Sequence, residues 1–239
     1  LHHGKHIKII DLPGIYSLST YSQEEIVSRE FIALEHPDVV VNVVDATVLE
    51  RNLFFTLQLL EMEIPIVIAL NLMDAAKKKG ITINEKKLQK LLNVPVIQTI
   101  ATKGIGVHEI VDKAIEQAAG KPSTTKSTLR YGPEIEARIE KLERVLTGVS
   151  IEYPLRWTAI KLLEGDSEIV SKIHKKSPDV IVAAKILASE ISDIHKEPCA
   201  TVIASERYAV AARIVKEVRT FKEQEKPSLG ERLDALSMH

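Results

Sequence analysis

The sequence has little cysteine, little net charge and no long apolar run. Cys199 is the one cysteine among 239 residues, which excludes an intramolecular disulfide and fits a reducing compartment. No apolar run approaches the roughly 18 residues expected of a membrane-spanning helix, and the polar, histidine-rich start differs from a signal peptide. A net charge of −1 argues against nucleic-acid binding through bulk electrostatics. We therefore expect a soluble cytosolic protein with no nucleic-acid partner.

The first half of the sequence alternates short apolar runs with amphipathic segments. The run at residues 39–44 is nearly continuous in β-branched residues, which predicts a strand covered on both faces. Alternating strands and helices predict a parallel sheet with helices on both faces. The predicted strands are residues 7–10, 39–44, 66–70 and 96–100. Four helices are predicted. The first begins at Ser22, where S-x-x-E forms a capping box, and the second carries Leu53, Leu57 and Leu60. The third follows Asn84, and the fourth spans residues 107–118.

A polar stretch, GKPSTTKSTLRYGP, separates this half from a second half with different patterning. Its proline, glycine, serine and threonine content is typical of an interdomain linker. Beyond it no run is typical of a strand, and apolar residues recur at helical spacing. We expect an α/β domain over residues 1–120, a linker over 121–131 and a bundle of four or five helices over 132–239. The apolar sets are Ile135, Ile139, Leu142 and Leu146; Val180, Ala184, Leu187, Ile191 and Ile194; and Tyr208, Ala211, Val215 and Val218.

Polar loops follow three of the four predicted strands. In an open parallel sheet, ligands bind outside the carboxyl ends of the strands, so these loops are the expected site. Three motifs occur in these loops in the order found in a Ras-like GTPase. D-x-x-G corresponds to the loop that holds magnesium and the γ-phosphate, N-x-x-D to the loop that reads guanine, and A-T-K to the loop that contacts the base. The predicted GTP-binding residues are Asp11, Leu12, Pro13 and Gly14; Asn71, Leu72, Met73 and Asp74; and Ala101, Thr102 and Lys103.

The residue types suit this chemistry. Asp11 can accept a hydrogen bond from a water bound to Mg²⁺, and Gly14 lets a backbone N–H approach the γ-phosphate. Asp74 accepts only, which matches the two adjacent donors of guanine. Asn71 both donates and accepts, so it can tie neighbouring loops together, and the backbone N–H groups of Ala101-Thr102-Lys103 would reach the guanine O6. Taken singly, N-x-x-D can be a helix cap and D-x-x-G a turn.

The phosphate-binding sequence G-x-x-x-x-G-K-[ST] does not occur in the 239 residues. We expect that the chain begins inside a Ras-like domain and that, as it stands, it is inactive; a nucleotide-dead pseudo-GTPase that only docks partners is the alternative. Ile15 stands where Ras-type enzymes carry a water-orienting glutamine, which predicts a slow GTPase with no identified catalytic residue. Leu72 stands where many GTPases carry a lysine, so nucleotide affinity is expected to be modest.

Three longer stretches carry a family resemblance. DLPGIYSLSTYSQEE, VVNVVDATVLERNLFFTLQLLEMEIPIVIALNLMDAAKKKGI and ASERYAVAARIV resemble the cytosolic region of ferrous iron transport protein B, the FeoB family. The similarity covers most of the chain and is most specific around Asp45-Ala46-Thr47 and the LERNL sequence that begins at Leu49. The closing GERLDALSMH resembles the segment that precedes the first membrane helix of that family.

The resemblance implies a fold and a function. The fold is α/β, a Ras-like GTPase domain with an N-terminally incomplete parallel sheet, followed by a small all-α domain likened to a nucleotide-dissociation inhibitor. GTP or GDP and Mg²⁺ are the implied cofactors, with Mg²⁺ held by Asp11 through water. The implied partner is the protein's own membrane domain, which passes Fe²⁺ and places this region at the cytoplasmic face of the cell membrane; a homo-oligomer is possible. A ribosome-assembly GTPase is a nearer alternative, but residues 131–239 mix both charge signs instead of forming a basic appendage.

Overall fold

A three-stranded parallel sheet forms the centre of the first half. The computed structural model describes residues 4, 6–18, 22–120 and 129–221. Strands β1 (Val40–Asp45), β2 (Ile66–Asn71) and β4 (Val96–Gln98) lie in the spatial order β1–β2–β4, while β3 (Ile81–Ile83) belongs to a second sheet. All five residues from Ile66 to Leu70 are buried, as expected for a central parallel strand. The predicted strands at residues 39–44, 66–70 and 96–100 are confirmed, the last in shortened form.

Five helices accompany these strands in the described part of the first half. They are α1 (Gln23–Leu34), α2 (Leu49–Glu61), α3 (Met73–Lys78), α4 (Glu85–Leu92) and α5 (Val107–Ala119). The side chain of Ser22 accepts a hydrogen bond from the Glu25 N–H at 3.2 Å, and that of Asn84 accepts one from the Lys87 N–H at 3.0 Å. These caps satisfy N–H groups that have no partner inside their helices, which is why both helices begin where the sequence predicts. Only the short α3 was not predicted.

The predicted strand at residues 7–10 is wrong. These residues adopt no regular structure, and the side chain of Ile9 is 81% exposed. A β-branched run becomes a strand only where a neighbouring backbone pairs with it. No strand among the described residues pairs with this segment.

The expectation that β1 is covered on both faces is also wrong. Asn42 and Val44 are buried on the face toward α2, where the Asn42 amide donates to the Thr56 hydroxyl at 2.8 Å. Val41 and Val43 on the opposite face are 41% and 62% exposed. Because β1 is the edge strand of the described sheet, its β-branched composition does not by itself bring a second covering layer.

Five helices make up the second half within residues 129–221. They are α6 (Pro133–Leu146), α7 (Leu155–Glu164), α8 (Ser167–His174), α9 (Pro178–His195) and α10 (Cys199–Val218). The predicted apolar sets form much of their core, since Ile135, Ile139, Leu142, Leu146 and Ile191 have no exposed area. Ile194 and Tyr208 are the exceptions and are about half exposed, at 52% and 49%. In the part of the chain that the structure describes, no helix has the length and apolar composition needed to cross a membrane.

A short strand follows α10 and joins the two halves. β5 (Arg219–Phe221) pairs antiparallel with β3 in a separate two-stranded sheet. The sequence pattern predicts no strand beyond residue 131, and β5 shows that this prediction is wrong. Three residues carry too little periodicity to be recognised, and the pairing joins residues that lie 136 to 140 positions apart along the chain.

Candidate nucleotide-binding site

The loops after β2 and β4 meet at the carboxyl edge of the sheet. Asn71, the last residue of β2, accepts hydrogen bonds through its Oδ1 from the Thr99 hydroxyl at 3.2 Å and from the Ala101 N–H at 3.1 Å. The Met73 N–H donates to the Thr99 carbonyl at 3.4 Å. Asn71 therefore ties the two loops together as predicted, and both of these side-chain bonds use its acceptor oxygen.

Backbone conformation fixes the shape of these loops. Leu72 has a φ of +61°, which is uncommon for a residue with a Cβ. Ala101–Lys103 form a single 3₁₀ turn that ends at Gly104, with a φ of +68°. Gly106 has a φ of +78°, and a Cβ there would lie 2.3 Å from the Gln98 carbonyl oxygen. Only glycine fits at position 106, because the backbone of α5 begins in direct contact with the end of β4.

Asp74 lies one turn beyond Asn71, at the start of α3. Its Oδ1 accepts the Ala75 N–H at 3.0 Å and its Oδ2 lies 3.3 Å from the Lys103 ammonium. Desolvation is the largest single influence and acts to raise the pKa of Asp74. The hydrogen bond and charge of Lys103 and the backbone N–H groups of Ala75 and Asp74 together outweigh it, so the pKa lies below its ordinary value. The carboxylate is 33% exposed and the lysine 58% exposed. Asp74 is therefore an ionised acceptor at the protein surface.

The geometry limits which groups are available to a ligand. The Ala101 N–H is donated to Asn71, and the Lys103 N–H to the Ile100 carbonyl at 2.9 Å. A ligand acceptor that approaches this turn must share those N–H groups or use that of Thr102. Asp74 can release Lys103 and accept from a ligand instead, because their contact is exposed and screened by solvent. The two loops can thus offer a carboxylate acceptor beside a turn of backbone donors.

The predicted phosphate-side residues belong to the separate segment that precedes α1. Asp11, Pro13 and Gly14 are exposed, and Leu12 is half-buried against the core. The segment is attached at its far end, where the Leu18 N–H donates to the Gln58 side chain at 2.6 Å. Among the described residues, no hydrogen bond or ion pair joins residues 11–14 to Asn71, Asp74 or Lys103. The described residues also contain no group of three or more His, Cys, Asp or Glu side chains able to hold a metal ion.

Two residues of the cluster were not predicted as site residues. Thr99 bridges the loops through both its hydroxyl and its carbonyl, and Gly106 allows α5 to start against β4. A signal for Thr99 was its position just before the Ala101 turn, at the end of an apolar run. No comparable signal existed for Gly106, because its role depends on a contact with Gln98 that sequence spacing does not reveal.

Two family models match the chain. One, described as ferrous iron transport protein B, matches residues 1–114, and the other, the FeoB cytosolic helical domain, matches residues 131–220. Together they span both halves of the described fold.

Individual proteins agree with these matches. The chain is 37% identical over 99% of its length to an Fe²⁺ transport protein A/Fe²⁺ transporter FeoB fusion protein of Porphyromonas gingivalis, covering 29% of that protein. It is 41% identical over 91% of its length to the Fe²⁺ transporter FeoB of Methanocaldococcus jannaschii, covering 32% of it. The chain thus spans about a third of the length of these curated relatives.

A solved structure extends the similarity to the fold. The mGMPPNP-bound NFeoB of S. thermophilus has a TM-score of 0.78 and 37% identity, with 90% of this chain and 80% of that chain covered. The predicted FeoB resemblance and fold class are confirmed, and these matches favour the iron-transporter family over a ribosome-assembly GTPase. The chain belongs to the FeoB family of ferrous iron transport proteins, and its first half has the fold of the FeoB G-domain.

Proposed function

We propose that this chain is the guanine-nucleotide-binding and GTP-hydrolysing region of a ferrous iron transporter. The paired loops at Asn71 and Ala101 carry the proposal, because they join an ionised carboxylate to a turn of backbone donors at the carboxyl edge of a parallel sheet. Support comes from the FeoB relatives and from the nucleotide analogue bound by the S. thermophilus neighbour. Transport itself belongs to the whole protein, of which this chain spans only a part.

Guanine would be selected by Asp74. Guanine presents its N1–H and exocyclic amine side by side, and an ionised carboxylate can accept from both. Adenine presents an acceptor at the first of these positions, which would leave one carboxylate oxygen desolvated and unpaired. Asn71 would act indirectly, by holding the Ala101 turn at the distance at which a base can touch both loops.

Mg²⁺ would be held with the nucleotide. Asp11 is exposed and has no hydrogen-bond or ion-pair partner among the described residues, so its carboxylate is free to accept from a metal-bound water. One carboxylate fits Mg²⁺, which usually combines one or two carboxylates with substrate phosphates and several waters. The ion would neutralise charge on the phosphates during hydrolysis. Because Ile15 offers no group to orient water, we propose that GTP hydrolysis by the transporter is slow. The 239 residues contain no G-x-x-x-x-G-K-[ST] sequence, so we propose that on their own they hydrolyse GTP negligibly.

The helical half would convey the nucleotide state to a membrane domain at the cytoplasmic face of the membrane. A physical connection runs through α1, which follows the D-x-x-G segment. The Arg29 guanidinium is fully buried, donates to Asp166 at 3.0 Å and also binds Glu168 of α8. Glu30 accepts from Lys172 at 2.9 Å and from the Tyr153 hydroxyl at 2.6 Å. A displacement of the segment before α1 would therefore act on α8.

The test is base choice at Asp74. In Asp74→Asn the side chain gains a donor, so binding of GDP should weaken and binding of xanthosine diphosphate, which carries an acceptor at the matching position, should improve. Chemical-shift changes at the amides of residues 71–74 and 101–103, followed by NMR during nucleotide titration, detect binding even when affinity is low. We expect GDP to shift these amides in the unmodified chain and ADP to leave them unshifted.

Asp193→Asn on the exposed face of α9 is the matched control and should keep the preference for GDP. GDP affinity that is unchanged in Asp74→Asn would contradict the assignment of the base-reading carboxylate. Absence of any shift with every nucleotide would favour a docking module that keeps the fold without binding nucleotide.

A further inference from the structure

The β3–β5 ladder connects the end of the helical half to the first half. Ile81, Thr82 and Ile83 pair with Phe221, Thr220 and Arg219, and the Asn84 N–H donates to the Val218 carbonyl at 2.8 Å. Ile81 and Ile83 are buried under this pairing, at 8% and 4% exposed. A salt bridge of 3.1 Å between Lys87 and Glu217 continues the contact along α4 and α10.

β3 belongs to the segment that separates the two loops of the candidate site. Residues 75–98 leave the first loop at Asp74, pass through β3 and α4, and return along β4 to Thr99 and the Ala101 turn. α4 is held to β4 by the Gln89 side chain, which accepts the Val96 N–H at 3.3 Å. The position of this segment therefore sets the spacing between Asp74 and the Ala101 turn, and its outer edge is paired with β5.

β5 extends from a helix that is itself fixed to the first half. Arg207 of α10 donates to Glu61 of α2 through its Nε at 2.9 Å, and both side chains are buried. Tyr208 stacks on Phe54 with ring centroids 4.4 Å apart. α10 is thus held in place against α2, and β5, which follows it, pairs with the edge of the segment between the two loops.

We propose that the β3–β5 ladder positions the two nucleotide loops, so that separating β5 from β3 loosens the site and weakens nucleotide binding. Thr220 is the positioning residue, acting through the backbone of Thr82. The ladder gives the end of the helical half a direct effect on the base side of the site, separate from the α1 connection on the phosphate side. The identity of the ligand rests on the proposed function, whereas the mechanical coupling does not.

The ladder can be broken at one hydrogen bond. Asn84 and Val218 form a hydrogen-bonded pair, so the alternation of antiparallel ladders makes Thr82 and Thr220 the next such pair and leaves Ile81 and Phe221 unbonded. Thr220→Pro removes a donor that faces β3, while Phe221→Pro removes one that faces away. Both positions are exposed, so the two substitutions form a matched pair.

Amide hydrogen exchange of the full chain reads the coupling without any ligand. In Thr220→Pro we expect exchange at the Met73 and Ala101 amides to accelerate about ten-fold, the factor for a hydrogen bond at the upper end of its usual net contribution. The Val40 amide, bonded to the Pro65 carbonyl, should be unchanged and serves as the internal reference. The pKa of Asp74, followed by NMR, should rise toward its ordinary value as Lys103 moves away. Phe221→Pro should alter none of these.

Acceleration confined to residues 81–84, with Met73 and Ala101 unchanged, would overturn the proposal. If Thr220→Pro accelerates Val40 as well, Thr220→Gly decides: a change of about two- to five-fold at Met73 and Ala101 relative to Val40 supports positioning, and equal changes overturn it. GDP titration of the same proteins separates the two proposals. If no variant binds GDP, the proposed function fails, and the exchange difference still decides the coupling.

Discussion

Two carboxylate–cation pairs in this molecule have the same chemistry and opposite surroundings. Asp74 and Lys103 lie at the loops of the candidate site, 3.3 Å apart, with side chains 33% and 58% exposed. Glu61 and Arg207 lie where α2 meets α10, 2.9 Å apart, with side chains 0% and 2% exposed. The first pair can be exchanged for a ligand at little cost, whereas the second cannot be separated without stranding a charge.

The buried Glu61–Arg207 pair also has additional hydrogen-bonding partners, which the exposed Asp74–Lys103 pair lacks. Arg207 binds both oxygens of Glu61 and also Glu164, and the Tyr131 hydroxyl donates to Glu61. A buried ion pair is stable only when its remaining lone pairs and protons are satisfied in this way. Burial therefore turns the same residue types into a fixed joint between the halves and leaves the exposed pair free to recognise a ligand.

Removing Arg207 should have the largest effect on stability. Arg207→Ala leaves Glu61 buried without its cation, and we expect the free energy of unfolding to fall by about 3–5 kcal/mol. Urea unfolding followed by circular dichroism measures it. Arg138→Ala is the matched control, because Arg138 pairs with Glu190 at 3.0 Å with side chains 21% and 38% exposed. The control should cost about 1 kcal/mol or less. Similar losses in the two variants would show that burial does not distinguish these pairs.

Acid should weaken the same joint. Burial by itself would raise the pKa of Glu164, but the charges of Arg207 and Lys161 outweigh it and lower the pKa to about 2. A lowered pKa contributes stability that is fully present above the unfolded value of 4.5 and is lost as the pH falls toward 2. The contribution is about 3 kcal/mol at most, from a difference of roughly 2.5 pKa units.

Glu164→Gln isolates this contribution from the other carboxylates. The difference in unfolding free energy between the unmodified chain and Glu164→Gln should be largest at neutral pH and should shrink steadily between about pH 4.5 and pH 2. Urea unfolding at a series of pH values measures it. A difference that does not vary with pH would mean that Glu164 is not held ionised by Arg207 and Lys161.

Local patterns predicted much of the fold because they act within a few residues. Ser22 and Asn84 cap their helices through contacts three residues away, and the apolar periodicity of α6 follows from one buried face. Features that depend on distant partners were predicted poorly. Residues 7–10 have the composition of a strand but pair with no described strand, while residues 219–221 form one only because β3 lies beside them.

The candidate site likewise contains features that local sequence predicts and features that depend on contacts between distant residues. Motif spacing identified Asn71 and Asp74, and the hydrogen bonds of Asn71 follow from its side chain and its place at the end of β2. Spacing could not show that Lys103 faces Asp74 or that Gly106 lies against Gln98, since both contacts arise between separate loops. The role of residues 11–14 stays a prediction.

Removing Lys103 should have the smallest effect on stability and a clear effect on titration. In Lys103→Met the hydrogen bond and charge of the lysine that lower the pKa of Asp74 are lost, and the hydrogen bonds from the backbone N–H groups of Asp74 and Ala75 remain, so the pKa should rise toward its ordinary value. The unfolding free energy should be unchanged within error, because the pair is exposed and solvent screens it. Carboxyl ¹³C shifts followed through a pH titration measure the pKa of Asp74. Lys113→Met, which removes an exposed partner of Glu116 on α5, is the control and should leave that pKa in place. An Asp74 pKa that stays low in Lys103→Met would mean that the backbone N–H groups of Asp74 and Ala75 stabilise the carboxylate without the lysine. A large loss of stability would mean that the Asp74–Lys103 pair is structural, like the buried Glu61–Arg207 pair.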